Sequence, residues 1–306
     1  MERAAAIDLG TQTALLLVVE RGARGELVVL ADECAPVRLG QGLSTRAELD
    51  PAAVERALRA LAGFNARADE LRVPDARRRA VATAVLRRAR DAATFVLAAR
   101  ERAGVALEVL SEADEARLGH LAVVGDGAEA GVLVIDVGGG STELCADAGR
   151  ARASVPLGAL VAAEALPDGG ARPCADEPAW RALKVELRSA FARVPRELRA
   201  CAAGVVCLGG TAGNLACLDQ RLARHDPTRA EGHRFAAPAA LRQAERLAGL
   251  DLASRRALAI EPERAATLPA GLLCLHAALE RVGAGEARAS GRGLRYGLAR
   301  ELLGPG

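Results

Sequence analysis

The chain has 306 residues, of which 51% are hydrophobic and 26% are charged, so it is long enough for two domains with separate cores. Its 41 basic and 39 acidic residues nearly cancel, which argues against a nucleic-acid-binding protein, because such proteins concentrate positive charge. No apolar run approaches the roughly 18 residues of a membrane-spanning helix, and Asp8 interrupts the apolar start, so neither a membrane span nor a signal peptide is predicted. The seven cysteines form no CxxC pair, which favours a reduced, cytoplasmic protein over a metal or redox site.

The first half of the chain alternates predicted strands and helices. Residues 4–19 (AAAIDLGTQTALLLVV) predict two strands joined by a turn, and residues 26–31 predict a third. Asp50 and Pro51 are typical of a helix start, so a helix is expected up to about residue 70. A strand within 77–83, a helix over 92–103, a strand at 107–110 and a helix capped by Ser111 follow.

The acidic, glycine-rich segment at 125–131 is the predicted domain boundary, giving domains 1–127 and 128–306. In the second domain, residues 132–144 (VLVIDVGGGSTEL) predict a strand, a triple-glycine turn and a returning strand, and a third glycine turn closes residues 205–218 (VVCLGGTAGNLACL). Helices are expected over 159–166, 178–194, 238–250, 253–260 and 294–303, a loop over 224–235, and a short strand at 288–290. Strands followed by helices indicate an α/β protein.

The segments at 4–19 and 132–144 share one pattern: an apolar run, an aspartate, a glycine and then hydroxyl residues. This repetition predicts two related lobes that face one cleft. Glycine turns point successive backbone N–H groups at a phosphate, and the preceding carboxylates, Asp8 and Asp136, suit a hard cation such as Mg²⁺.

Three further charged residues are candidates for chemistry. Glu115, on the helix after the 107–110 strand, could accept a proton, with the charges of Glu112 and Asp114 nearby; a solvated acidic helix start is the alternative. Arg87 or Arg88 could clamp a phosphate, although either could equally be a surface arginine. Glu143 could lie beside Asp136 on the returning strand and help to hold a metal ion or to orient a water molecule.

The chain resembles the exopolyphosphatase/guanosine pentaphosphate phosphatase (Ppx/GppA) family over nearly its whole length. Nine motifs occur in the family's order: AIDLGTQT, VRLGQGL, ATAVLRRARD, LSEADEARLGHLAV, VIDVGGGSTEL, SVPLGAL, CLGGTAGNLACL, EGHRF and SGRGLRYGL. The resemblance implies two ribonuclease H-like lobes of the actin-like ATPase superfamily around a central cleft. It also implies a cytoplasmic homodimer that hydrolyses the terminal phosphoanhydride of polyphosphate or, alternatively, removes the 5′-terminal phosphate of guanosine pentaphosphate. The partners implied are polyphosphate or guanosine penta- or tetraphosphate.

The same resemblance implies roles for individual residues. Glu115 matches the catalytic glutamate, Arg87 the arginine after the ATxAL stretch, and Glu143 a water-positioning glutamate. Asp136 matches a position that would hold Mg²⁺, and Asp8 stays a second metal candidate from the repeated residue pattern. The implied phosphate-binding residues are those of the three turns: Gly10, Thr11, Gln12, Thr13, Gly138, Gly139, Gly140, Ser141, Thr142, Gly209, Gly210 and Thr211.

Three departures from the family pattern leave alternatives open. Thr11, Gln12 and Thr13 replace the usual Ser-Asn-Ser, while Gly291 and Tyr296 replace an aspartate and a glutamate. The altered first turn allows a binding-only sensor of polyphosphate or an alarmone. An ATP-dependent kinase or ATPase of the same superfamily is a further alternative, in which the third glycine turn would hold adenosine.

Overall fold

The computed structural model describes residues 2–124, 131–199 and 204–304, which form two compact units. The first unit contains 2–124 and 294–304, and the second contains the described residues from 131 to 293. The predicted boundary segment, 125–131, lies outside the described residues except for Gly131. Both units layer helices on a mixed sheet, so the predicted α/β class is confirmed.

The first unit has one sheet with the strand order β3-β2-β1-β4-β5. The first three strands form an antiparallel meander, whereas β4 and β5 run parallel to β1. The strands are β1 (Arg3–Leu9), β2 (Thr13–Arg21), β3 (Leu27–Pro36), β4 (Arg78–Ala82) and β5 (Leu107–Val109).

Local sequence signals explain the helices of this unit. The Asp50 carboxylate accepts a hydrogen bond from the Ala53 amide at 3.0 Å, as predicted for the start of the long helix. Ser111 likewise accepts from the Asp114 amide at 3.1 Å. The helices are α1 (Leu43–Arg46), α2 (Pro51–Glu70), α3 (Ala84–Arg88), α4 (Ala92–Ala103) and α5 (Glu112–Val124), with a 3₁₀ turn at Asp75–Arg77.

The C-terminal helix, Leu294–Leu303, belongs to the first unit and not to the predicted domain 128–306. Its buried Leu294, Leu298 and Leu303 share a core with residues of β1, β2 and α5. A Cβ atom on Gly297 would stand 2.0 Å from the Leu118 carbonyl oxygen of α5, so glycine allows the two helices to cross in direct contact. The contiguous domain limits could not anticipate this, because the helix returns to its core after the whole second unit.

The second unit repeats the topology of the first and adds an edge strand, in the order β10-β11-β9-β6-β7-β8. Strands β6, β7 and β8 form the antiparallel meander, and β9 and β11 continue it in parallel with β6. The predicted duplication of ribonuclease H-like lobes is therefore confirmed at the level of each unit. The strands are β6 (Leu133–Val137), β7 (Thr142–Ala146), β8 (Ala151–Val155), β9 (Val205–Leu208), β10 (Arg234–Ala236) and β11 (Glu286–Ser290).

The helices of the second unit surround one core helix that the sequence analysis missed. In this helix, Leu268–Val282, twelve of the fifteen residues are buried, so its polar stripe is narrow and the amphipathic pattern is weak. The predicted loop over 224–235 instead contains a helical turn and the start of β10. The helices are α6 (Ala159–Glu164), α7 (Pro178–Phe191), α8 (Gly209–Asp219), α9 (Pro227–Ala230), α10 (Pro238–Ala248), α11 (Leu252–Arg256) and α12 (Leu268–Val282), with 3₁₀ turns at Asp147–Gly149, Pro167–Gly170 and Pro262–Arg264.

The expectations about membrane spans and cysteines can be compared directly with the structure. None of the described helices is both long and apolar enough to cross a membrane. Among the described cysteines, Cys34 is exposed, and the buried ones are Cys145, Cys174, Cys207, Cys217 and Cys274. Burial raises the pKa of Cys145 to about 11, so this thiol is uncharged at neutral pH.

Candidate active site

In the first unit, the predicted site residues follow the carboxyl ends of three adjacent strands. Because β1, β4 and β5 are parallel neighbours, their carboxyl ends share one edge of the sheet. Asp8 and the first glycine turn lie at the end of β1, Arg87 in α3 after β4, and Glu115 in α5 after β5. Ligands of open α/β sheets bind at such edges.

The first turn is held from behind through its carbonyl groups. The Gly10 amide donates to the Thr13 carbonyl at 2.9 Å, closing the turn. In the VRLGQGL segment, the amides of Val37 and Arg38 donate to the Gln12 carbonyl at 3.0 and 2.8 Å. The Gly40 amide donates to the Thr11 carbonyl at 3.0 Å. This motif thus has a defined task, which is to fix the shape of the turn.

The structure accommodates the extra carbon that Thr11 carries relative to the family serine. A Cβ atom on Gly40 would stand 2.3 Å from the Thr11 methyl carbon, so the methyl group packs against this glycine. Thr11 is 5% exposed and Gln12 is 4% exposed. The Thr11 substitution is therefore absorbed within the first unit by contact with the VRLGQGL segment.

Arg87 and Glu115 form a largely buried ion pair. The Arg87 Nη1 atom donates to the Glu115 Oε2 atom at 2.8 Å and to the Leu110 carbonyl oxygen at 2.9 Å. Their side chains are 20% and 14% exposed. The structure thus brings two predicted catalytic residues together and sets a cation against Glu115, whereas Asp114 turns to the Ser111 hydroxyl.

In the second unit, Asp136 and Glu143 lie directly opposite each other on β6 and β7. Directly opposed residues of an antiparallel pair project on the same face of the sheet, as predicted for these two carboxylates. Glu143 is only 5% exposed and accepts a hydrogen bond from the Ser154 hydroxyl of β8 at 3.3 Å. The corresponding position in the first unit is Leu15, opposite Asp8, so only the second unit has a carboxylate pair here.

The triple-glycine turn repeats the geometry of the first turn. The Gly138 amide donates to the Ser141 carbonyl at 3.0 Å, and amides at the start of α6 donate to the Gly138 and Gly139 carbonyls at 2.8–3.2 Å. Within the described residues, the amides of Gly139, Gly140 and Ser141 donate to no backbone carbonyl. These three N–H groups are the ones that a phosphate would accept from.

A substitution at Gly158 tests the importance of the triple-glycine turn, because this residue packs directly against the turn. A Cβ atom at Gly158 would lie 2.5 Å from the Gly138 carbonyl oxygen and 2.6 Å from the Ser141 nitrogen, and both are backbone atoms. Gly158→Ala should therefore displace the turn and lower kcat/KM for phosphate release by roughly 10²-fold, which is the effect of a misplacement of about 1 Å. Gly63→Ala, at an exposed helical glycine with open space, is the matched control and should leave the activity unchanged. Equal activities of the two variants would contradict the proposed importance of the turn.

The third turn lies at the end of β9, directly beside Asp136. A Cβ atom on Gly209, which has φ +79°, would stand 3.1 Å from the Asp136 Oδ1 atom, so this glycine lets the carboxylate approach the turn. Gly210 lies against the guanidinium of Arg264, and Thr211 contacts the region of Gly271 in α12. Asp136, the triple-glycine turn and the third turn therefore share one sheet edge in the second unit.

A network that the sequence analysis missed holds the Arg264 guanidinium. Asn214 donates to the Gly210 carbonyl at 2.7 Å and to the Glu261 carboxylate at 2.9 Å, and Arg264 pairs with the same carboxylate. Burial alone would raise the pKa of Glu261, but the Arg264 charge and the Asn214 hydrogen bond outweigh it and hold that pKa below its ordinary value. No local pattern signals this network, because its members are up to 54 residues apart (264 minus 210).

A sequence model of the Ppx/GppA phosphatase family matches residues 18–304. The chain belongs to this family. A curated relative, exopolyphosphatase 2 of Mycobacterium tuberculosis, is 31% identical over 99% of this chain and 99% of its own.

Solved structures agree with the family assignment. A Ppx/GppA family member from Aquifex aeolicus is 26% identical with a TM-score of 0.79, covering 99% of this chain and 98% of its own. An exopolyphosphatase from Cytophaga hutchinsonii has a TM-score of 0.82 and covers 100% and 99% of the two chains; at 21% identity it bears on the fold alone.

Gly291 and Tyr296, the two residues near the C-terminus that depart from the family pattern, each form a hydrogen bond in this Ppx/GppA protein. The Tyr296 hydroxyl donates to the Asp32 Oδ2 atom at 3.1 Å, and Arg295 forms two further bonds with the same carboxylate at 3.0 and 3.1 Å. A glutamate at 296 would instead place a second carboxylate beside Asp32. The Gly291 amide donates to Glu231 at 2.7 Å, in the EGHRF motif.

Proposed function

We propose that this protein is an exopolyphosphatase, which removes the terminal phosphate from inorganic polyphosphate. The observation that carries the proposal is the partly buried pair of Arg87 and Glu115, in which a cation that could bind phosphate lies against a carboxylate that can accept a proton. Hydrolysis needs such a base to activate water, whereas phosphoryl transfer to a bound acceptor would need an acceptor site as well. The resemblance to the mycobacterial exopolyphosphatase supports polyphosphate over guanosine pentaphosphate.

In the proposed mechanism, Glu115 accepts a proton from the water that attacks the terminal phosphorus. The electron pair of the breaking P–O bond leaves with the shortened chain. Amides of Gly139, Gly140 and Ser141 and the Arg87 guanidinium would hold the charge on the phosphoryl oxygens. Glu143, which accepts a hydrogen bond from Ser154, would orient the water.

Mg²⁺ is the proposed cofactor, and the residues present fit it. The described residues contain no group of three or more His, Cys, Asp or Glu side chains that could hold a metal ion. Asp136 and Glu143 nevertheless form an oxygen-donor pair, and Mg²⁺ commonly takes one or two carboxylates together with substrate phosphates. Asp136, with Glu143 beside it, is the proposed ligand, and the bound ion would neutralise phosphate charge. A metal-binding role for Asp8, the corresponding aspartate of the first unit, stays a prediction.

Substrate choice is tested by phosphate release from a panel of polyphosphates, guanosine pentaphosphate and ATP, each with and without Mg²⁺. Polyphosphate should give the highest kcat/KM, and chelation of Mg²⁺ should remove most of the activity, because the phosphate charge would then be uncompensated. A higher kcat/KM for guanosine pentaphosphate than for polyphosphate would make guanosine pentaphosphate the substrate instead. Micromolar ATP binding without polyphosphate hydrolysis would favour the kinase alternative.

The binding-only alternative predicts a different result for the first turn. Because Thr11 is accommodated against Gly40, replacing residues 11–13 by Ser-Asn-Ser should change kcat/KM by less than about tenfold. Phosphatase activity found only in this Ser-Asn-Ser variant would show that the natural chain is a sensor. The homodimer and the cytoplasmic location, both implied by the family resemblance, stay predictions.

A further inference from the structure

The second unit has a surface groove of about 370 Å³ between α7 and α12, with Leu241 of α10 at its side. Four lining residues of each helix are spaced i, i+3, i+4 and i+7, which is the spacing of one helical face, and α7 adds Leu187. Those of α7 are Arg181, Lys184, Val185 and Arg188, and those of α12 are Leu273, His276, Ala277 and Glu280.

The bottom of the groove is apolar and well packed. Leu187, Leu273 and Ala277 are 1%, 2% and 8% exposed, so the bottom belongs to the core of the unit. Val185, by contrast, is 70% exposed and lies at the edge of the groove. An apolar ligand in the groove would cover this side chain.

The polar groups of the groove favour an anion. None of the described residues forms a hydrogen bond with the His276 ring, and burial, the largest influence, lowers the pKa of His276, so the ring is neutral at pH 7. Lys184 pairs with Glu245 at 3.3 Å, whereas neither Arg181 nor Arg188 forms an ion pair with a described carboxylate. With Lys184 paired to Glu245, the two arginines outnumber the one carboxylate of the lining, Glu280, so the rim carries a net positive charge around an apolar centre.

The size of the groove indicates a small molecule. A lining of seven helical steps is about 10 Å long, at 1.5 Å per residue. The volume of about 370 Å³ lies at the lower end of the roughly 300–1,000 Å³ that is typical of small-molecule sites.

We propose that this groove binds a small amphipathic anion, a medium-chain carboxylate, and that α12 transmits its occupancy to the phosphate turns. The hydrocarbon would lie over Leu273 and Ala277, and the carboxylate would meet Arg188. This site is separate from the proposed active-site residues, and its binding test does not need the enzyme to be active.

The structure supplies the physical link along α12. Gly271, in the first turn of this helix, packs so closely that an added Cβ atom would stand 2.9 Å from the Ala159 Cβ atom and 3.2 Å from the Thr211 hydroxyl oxygen. Thr211 belongs to the third turn, and Ala159 donates to the Gly138 carbonyl of the triple-glycine turn. His276 is about 7–8 Å from Gly271 along the same rigid helix, at 1.5 Å per residue.

The single tryptophan of the chain, Trp180, adjoins Arg181 on α7 and reports on the groove. Decanoate, below its micelle concentration, should change the Trp180 emission in a saturable way. Arg188→Glu and Ala277→Phe should each weaken this binding roughly tenfold or more, by charge reversal and by filling the groove. Arg193→Glu, at an exposed arginine that does not line the groove, should bind like the unmodified protein.

Several results would overturn the proposal. These are a non-saturable response, equal binding in Arg188→Glu and Arg193→Glu, or decanol binding as tightly as decanoate. Self-association that buries the groove, seen by sedimentation and lost in Ala277→Phe, would assign the face to a second copy instead. Saturating decanoate should also shift KM for polyphosphate about twofold or more, within the typical range of coupling; an unchanged KM with intact binding would refute transmission through α12.

Discussion

Glu115→Gln is expected to lower the turnover of phosphate release by roughly 10²–10⁴-fold, the contribution of a general base. The amide keeps the size of the side chain and an oxygen that can accept from Arg87, so the fold and the position of residue 115 should persist. What the variant loses is the capacity to take a proton from water. KM for polyphosphate should change much less than kcat, because the amide can still hold Arg87 in place and the backbone amides proposed to bind phosphate are unchanged.

Glu112→Gln is the matched control, since it removes the same charge from the exposed start of the same helix. Its turnover should stay within about twofold of the unmodified protein, as expected for a surface change. Thermal unfolding of both variants shows whether a lower turnover comes from lost catalysis or from lost folding. Unchanged turnover in Glu115→Gln would remove this residue from the mechanism.

Arg255→Gln should have the largest effect on stability, with a loss of about 3–5 kcal/mol in the free energy of unfolding. The Arg255 side chain has no solvent exposure and donates to the carbonyl groups of Leu247, Gly170, Ala265 and Arg172. Glutamine is too short to reach these groups, so several buried acceptors would be left without a donor. Because Ala265 follows Arg264, the same change should also loosen the network at Gly210.

Urea unfolding followed by the emission of Trp180 measures this loss. Arg256→Gln is the control, because Arg256 is the next residue of α11 and is exposed. It should change the free energy of unfolding by less than about 0.5 kcal/mol. A loss of similar size in the two variants would show that the buried hydrogen bonds of Arg255 contribute little.

Features encoded by neighbouring residues were predictable. Asp50 caps α2, the triple-glycine turn joins β6 to β7, and the C-terminal helix has the predicted bounds. The pairing of Asp136 with Glu143 also follows from the sequence, because a tight turn fixes which residues of its two strands lie opposite. The duplicated pattern at residues 4–19 and 132–144 was enough to predict two similar sheets.

Features that depend on distant residues were not predictable in the same way. Helix α12 has twelve of its fifteen residues buried and only a narrow polar stripe at His276 and Glu280, so its sequence shows only weakly the helical period on which prediction relies. Arg87 and Glu115 are separated by 28 positions and meet only because β4 and β5 are neighbours. The interaction of Tyr296 with Asp32 likewise depends on the return of the C-terminal helix to the first unit.

The central claim is that the protein hydrolyses the terminal phosphoanhydride of polyphosphate. Phosphorus NMR of a polyphosphate of defined length, incubated with the protein and Mg²⁺, tests it most directly. The expected result is orthophosphate as the first product, with chains shortened stepwise from their ends, and no reaction with Glu115→Gln on the same time scale. Intact polyphosphate after prolonged incubation, or internal cleavage that yields medium-length fragments before orthophosphate, would contradict the claim.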